Sequence, residues 1–229
     1  MHKLLRSIGL ASPSWPYVAP FAVFLLLLAL GPRLLGGPEL HYPLRIVLVA
    51  AVMLTWSRGV VHLKASRWVS STLAGIGVCL IWIAPDLLWP AYRSHWLFQN
   101  PLTGTVTSSI TSPVRADLAF LVFRVAGSVI LVPIMEELFW RAWLMRYLIS
   151  RRFEALPLGA STAGSFWLSA LLFASEHGPF WDVGLAAGIV YNWWMIRTRS
   201  LADCILAHAV TNACLAAYVL AARQWQYWL

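Results

Sequence analysis

Apolar residues run along this chain in blocks of roughly twenty, separated by short polar breaks. A helix that crosses hydrocarbon needs about 20 mostly apolar residues. The pattern therefore predicts spans near 16–35, 43–63, 69–90, 116–149, 161–177, 180–197 and 201–222. The fourth block is the longest and contains Pro133. It reads either as one tilted, kinked helix or as a span that continues into a cytoplasmic rim. The segment 91–115 is polar, rich in Ser, Thr and Pro, and reads as a loop. The chain divides into N-terminal spans with that loop, 1–115, and a C-terminal part, 116–229, which holds the charges placed inside spans. No repeat or composition shift marks a second domain, so the expected fold is all-α: one polytopic integral membrane helix bundle of about seven transmembrane helices.

Composition supports the bilayer as solvent. The chain has 229 residues, 60% hydrophobic and 11% charged, whereas a soluble domain carries about 25% charged residues. Its 14 tryptophans suit membrane interfaces, and Trp193-Trp194 reads as part of such a belt. The net charge of +8 is spread over short loops with no basic patch, which excludes a nucleic-acid partner. With the N-terminus inside, Lys3, Arg6, Arg58, Lys64, Arg67, Arg146, Arg151, Arg152, Arg197 and Arg199 fall on the inner side. Arg33, Arg45, Arg93, Arg115 and Arg223 fall outside. That asymmetry places the N-terminus in the cytoplasm. Val18–Leu30 follows Lys3 and Arg6 as a signal h-region would, but Pro32-Arg33-Leu34-Leu35 comes next where a small-residue cleavage site would stand, so the segment reads as an uncleaved first span. Cys79, Cys204 and Cys214 lie in apolar runs and read as packing residues.

The chemistry lies in the polar residues left inside spans. A carboxylate at bilayer depth costs about 2.5–3.5 kcal/mol on insertion scales, and this chain puts Glu136 and Glu137 side by side in the fourth block. Glu137 and Arg141 are four apart and share a helix face, so they can pair. Glu136 is turned about 100° away from its neighbour, with nothing to neutralise it. Phe173 and His177 are four apart at the end of the fifth block, and His208 and Asn212 four apart in the seventh. At 1.5 Å per residue from the cytoplasmic ends, Glu136 lies about 20 Å deep, His177 about 24 Å, and His208 and Asn212 about 10 and 16 Å. They meet only if helices tilt, if the fifth is short and ends inside the protein, or if the seventh starts before 201. Each group also has a structural reading. The acids can form an ion-pair knot with Arg141 and Arg124, His177 can sit at an interface, and His208 with Asn212 can join helices. Asp117 and Arg124, on one face of the fourth helix, read as structural or interfacial. Asp203 reads as a helix cap or dipole partner.

Glu-Glu-x-x-x-Arg, then Phe-x-x-x-His, then His-x-x-x-Asn, in that order on successive membrane helices, resembles the CPBP intramembrane proteases, among them the type II CAAX prenyl endopeptidases. The resemblance covers roughly 116–222. It implies that Glu136 activates water, that His177 binds and orients that water, and that Glu137 supports the site while Arg141 fixes it. It also implies that His208 and Asn212 stabilise the oxyanion, that no cofactor is needed, and that the substrate is a membrane-anchored or lipidated peptide reached from the cytoplasmic half. A bacterial inner membrane is the expected location. Trp140-Arg141-Ala142 departs from the family's usual Phe-Arg-Gly, and Glu176 beside His177 is an additional acid. One rival is a zinc peptidase with Glu136, His177 and His208 as ligands. Others are a proton-coupled transporter, disfavoured because the polar chemistry is confined to the second half, and a non-catalytic immunity-type protein.

Overall fold

Each apolar block folds as a helix, because hydrocarbon offers the backbone N–H and C=O groups no partner outside the chain. The computed structural model describes residues 12–108 and 110–228. The helices are α1 (Trp15–Leu35), α2 (Pro38–Ser57), α3 (Trp68–Leu88), the single turn α4 (Ser112–Arg115), α5 (Leu118–Tyr147), α6 (Ala163–Ser175), α7 (Trp181–Thr198) and α8 (Leu201–Ala222). No strand occurs among the described residues. Lys3 and Arg6, two of the orientation charges, lie outside them.

Seven long helices match the seven apolar blocks, but only five are both long and apolar enough to cross a membrane: α1, α2, α3, α5 and α8. α6 has 13 residues, about 20 Å of helix, which is short of the roughly 30 Å hydrocarbon core. α7 has 18 residues and carries Asp182, Asn192 and Arg197. The two form a hairpin packed against α5 and α8. Among the described residues, five helices are thus candidate spans, against the seven expected. Leu73, Leu80 and Leu87 on α3, and Val122 and Ile130 on α5, point outward and exposed, as lipid-facing residues should.

α5 bends its hydrogen-bond register twice, with π-helical segments at Gly127–Leu131 and Leu138–Leu144 on either side of the glutamates. Pro133 gives the first a cause. Val132 N–H bonds to Gly127 O, five residues back. The next donor in that register belongs to Pro133, which has no N–H, so the Ser128 carbonyl is left without a helical partner.

α3 and α8 approach closely because Gly75 leaves no room for a Cβ against the Ala207 carbonyl. Their N-terminal ends are latched by Asp203. The N-cap of α8 is Ser200, whose side chain accepts from Asp203 N–H. The Asp203 carboxylate itself accepts from Ser66 N–H and Oγ (3.3 and 2.9 Å), Arg67 N–H (2.7 Å) and Ser71 Oγ (3.2 Å). Asp203→Ala should destabilise the protein by about 1–3 kcal/mol, because it strands the buried Ser71 hydroxyl. Thermal unfolding in detergent measures this, and an unchanged midpoint would show that the latch contributes nothing.

Candidate active site

The fully buried Glu137 is the hub of the site. Its Oε1 accepts from Arg141 Nη1 at 3.0 Å and from His208 Nδ1 at 2.8 Å, and its Oε2 from Cys204 Sγ at 3.1 Å. Arg141, also fully buried, donates from Nε to Asn192 Oδ1 at 3.1 Å, and its guanidinium lies over the Phe173 and Tyr191 rings at 4.4 and 5.2 Å. Asn192 is held in turn, donating to Phe166 O (2.8 Å) and Ser169 Oγ (2.9 Å). The network joins α5, α6, α7 and α8. An ionised carboxylate only accepts hydrogen bonds, so the proton between Glu137 and His208 lies on Nδ1. That leaves Nε2 as the free nitrogen of the ring. Tyr191 stacks on the imidazole at 4.9 Å, and its hydroxyl donates to Thr211 Oγ1 at 2.7 Å.

Glu136 is placed differently. It is buried, and its Oε2 has no hydrogen-bond partner. It lines a cavity of about 160 Å³ together with Ser128, Phe173, His177, His208 and Asn212. Two adjacent glutamates therefore occupy opposite situations, one saturated with donors and one unpartnered at a cavity wall. The turn of about 100° per residue along the helix produces that difference.

His177 ends α6. Its Nδ1 donates to Phe173 O at 2.8 Å. A carbonyl accepts only, so Nε2 of the neutral ring is an acceptor. Trp82 and Phe173 pack against the ring at 5.1 and 4.7 Å. Behind it, a Cβ on Gly184 would lie 3.0 Å from His177 Cγ and Nδ1. Gly184→Ala should push the imidazole outward by a few tenths of an ångström and destabilise the protein by about 1–3 kcal/mol, the usual cost of overpacking. Thermal unfolding in detergent measures this, and an unchanged midpoint would show that the ring is free to move.

The turn after His177 is pinned from outside. Arg93 donates to Asp86 (3.0 Å), to Asp182 and to Pro179 O (2.8 Å), and Trp181 Nε1 donates to Leu97 O at 3.0 Å. Tyr92 donates to Asp182 at 3.1 Å; burial and that carboxylate hold the phenol above its ordinary pKa. The loop 91–115 thus works as a brace. Arg93, which reads in the sequence as a topology charge, is a buried structural cation.

Asn212 donates from Nδ2 to Ser128 O at 2.7 Å, filling the carbonyl that Pro133 leaves bare. His208 and Asn212 thus each donate once to α5, which leaves Nε2 of the ring and the second Nδ2 hydrogen of Asn212. Glu176 is exposed. Asp117 caps α5, accepting from Ala119 and Phe120 N–H at 2.9 and 3.2 Å, and is not a partner of Arg124. Arg124 lines the cavity. No group of three or more His, Cys, Asp or Glu among the described residues is arranged to hold a metal ion. The cavity runs on to Arg124, Tyr227 and Trp228, where α5 begins and α8 ends. This is the end opposite Lys64 and Arg151.

Tyr191, Asn192 and Thr211 carried no role in the sequence reading, and Cys204, read there as a packing residue, is a donor to Glu137. The Tyr191-Asn192 pair inside an apolar block was the available signal, by the same rule that singled out the glutamates.

Residues 118–214 match the Rce1-like family, described as type II CAAX prenyl endopeptidase Rce1-like. The match contains all three motifs. No curated protein and no solved structure matches the chain.

Proposed function

We propose, from the premise that residues 118–214 are of the Rce1-like family, that this integral membrane protein is an endopeptidase that hydrolyses a membrane-associated peptide with water activated by Glu136. The observation that carries the reading is the partnerless Oε2 of Glu136, in one cavity with His177 and His208. His177 Nε2 accepts from a water and aims it. Glu136 takes the water's proton as its oxygen bonds to the scissile carbonyl carbon. The resulting oxyanion meets donors on α8, Nε2–H of a protonated His208 and the second Nδ2 hydrogen of Asn212. Glu136 then delivers its proton to the amide nitrogen as the C–N bond breaks. Glu137 and Arg141 touch no reacting atom; they hold His208 and α7 in position.

The family description, a type II CAAX prenyl endopeptidase, supports a lipidated C-terminal peptide as the substrate class; the location proposed with it is a bacterial inner membrane, with the N-terminus cytoplasmic by the asymmetry of the basic residues. The purified protein in liposomes should cut a farnesyl-cysteine peptide into two products separable by mass, and His177→Ala should abolish the cut. A carboxylate-backed imidazole such as His208 also suits metal ligation, so the assay is repeated with a membrane-permeant chelator. Activity lost to the chelator and restored by Zn²⁺ would replace the metal-free reading.

A further inference from the structure

Two guanidiniums flank one ring at the outer end of the cavity. The Arg45 guanidinium carbon lies 5.0 Å from the centroid of Tyr42 and 4.8 Å from that of Phe24. That of Arg124 lies 4.9 Å from the same Tyr42 ring and 5.5 Å from that of Trp228. Arg45 is only 4% exposed. Its Nε and Nη1, and the Nε of Arg124, are buried without a hydrogen-bond partner. The nearby acids are engaged elsewhere among the described residues, Asp117 in capping α5 and Asp86 and Asp182 in holding Arg93. Two like charges sharing a buried site repel, and unpaired buried charge is expensive. An anion near Tyr42 would relieve both. The planar fork of arginine matches a carboxylate through two parallel hydrogen bonds.

The site has a direct link to the chemistry, because Arg124 lines the cavity that holds Glu136. Twelve residues of helix separate them, about 18 Å at 1.5 Å per residue. An extended peptide covers that distance in about five residues at roughly 3.3 Å each. We propose that Arg124, with Arg45 behind it, binds a carboxylate of the substrate peptide about five residues from the scissile bond, and so selects substrates that carry one. The assignment rests on the peptidase reading of the cavity. The anchoring of the helix does not depend on the guanidinium, since Tyr42 donates to the Arg124 carbonyl oxygen, so Arg124→Gln keeps that contact.

The test is binding, measured by thermal unfolding of the detergent-solubilised full chain. The probes are an N-acetylated apolar pentapeptide with a free C-terminal carboxylate, its C-terminal amide, and an amide carrying one glutamate. The free acid should bind at least about tenfold tighter than the plain amide, the effect of a charge-assisted hydrogen bond, and Arg124→Gln should erase that ratio. The glutamate-bearing amide shows whether the carboxylate read is terminal or a side chain. Equal binding of acid and plain amide, including no binding of either, overturns the proposal, as does a preference that survives Arg124→Gln. Stabilisation by phosphatidylglycerol micelles and by neither peptide would make this a lipid-headgroup site and overturn it as well. A protein that prefers the acid, loses the preference with Arg124→Gln and cuts nothing would leave a carboxylate-binding peptide site and remove the peptidase reading, with the selection of substrates that rests on it.

Discussion

Glu136→Gln should abolish peptide hydrolysis while leaving the protein at least as stable as wild type. The substitution keeps side-chain length and shape and removes the ability to take a proton from water. Loss of a positioned general base lowers rates by about 10²–10⁴-fold, and glutamine provides no substitute. Stability should not fall, because Glu136 Oε2 has no hydrogen-bond partner to lose. Replacing a buried, unpaired acid by a neutral amide removes a burden that the fold otherwise carries. Cleavage rate and thermal midpoint, measured on the same preparation, decide the matter. Near-normal cleavage would end the assignment of Glu136 as base. A large drop in midpoint would show that Glu136 is a structural acid after all.

Glu137→Ala should give a different result, a destabilisation of about 3–5 kcal/mol together with loss of activity. Removing one partner of a buried ion pair strands the other. Here it strands Arg141, which is fully buried, and also frees His208 Nδ1 and Cys204 Sγ. Glu137→Ala combined with Arg141→Met should recover part of the lost stability, since replacing both charges with apolar atoms is often neutral. It should recover no activity, because His208 remains unanchored. Denaturant unfolding of the single and double variants measures both effects. A single variant as stable as wild type would show that the network does not hold the four helices together.

Set side by side, the two substitutions separate roles that the sequence only hints at. Adjacent glutamates, the arginine four residues on, and the helical turn between neighbours were enough to expect Glu137 on Arg141 and Glu136 alone. Local geometry settles such contacts, and the 3.0 Å Glu137–Arg141 pair follows from it. His208 on Glu137 was not expected. The two residues are 71 apart in sequence, and helical spacing says nothing about which helices adjoin. The anchors of His208 and Asn212 were not legible for the same reason. Their partners, Glu137 and the Ser128 carbonyl, lie on α5. Arg93 and Arg124 were read from their place along the chain, as a loop charge and an interfacial residue. Their roles depend on what surrounds them, Asp86 and Asp182 for one and a cavity wall for the other.

The span count shows the same division. Hydropathy located every apolar block, because any long apolar run in lipid must close its hydrogen bonds as a helix. It did not separate a helix long enough to cross from a shorter one. α6 is apolar on both sides, packing one face against α7 and α5 and leaving Trp167, Leu168, Leu171 and Leu172 exposed, yet it has only 13 residues.

By itself, then, the sequence determined that the chain is a helical membrane protein, which residues carry its polar chemistry, and how neighbours within one helix share faces. All of these depend on composition and on the 3.6-residue repeat, which the chain contains locally. Only the tertiary structure decided that α6 and α7 pair as a hairpin against α5 and α8 and that Glu137 gathers donors from two helices. It alone left Glu136 unpartnered at a cavity and placed two arginines at the far end. Those facts arise from packing between segments distant in the chain, where distance and burial are set by the whole bundle.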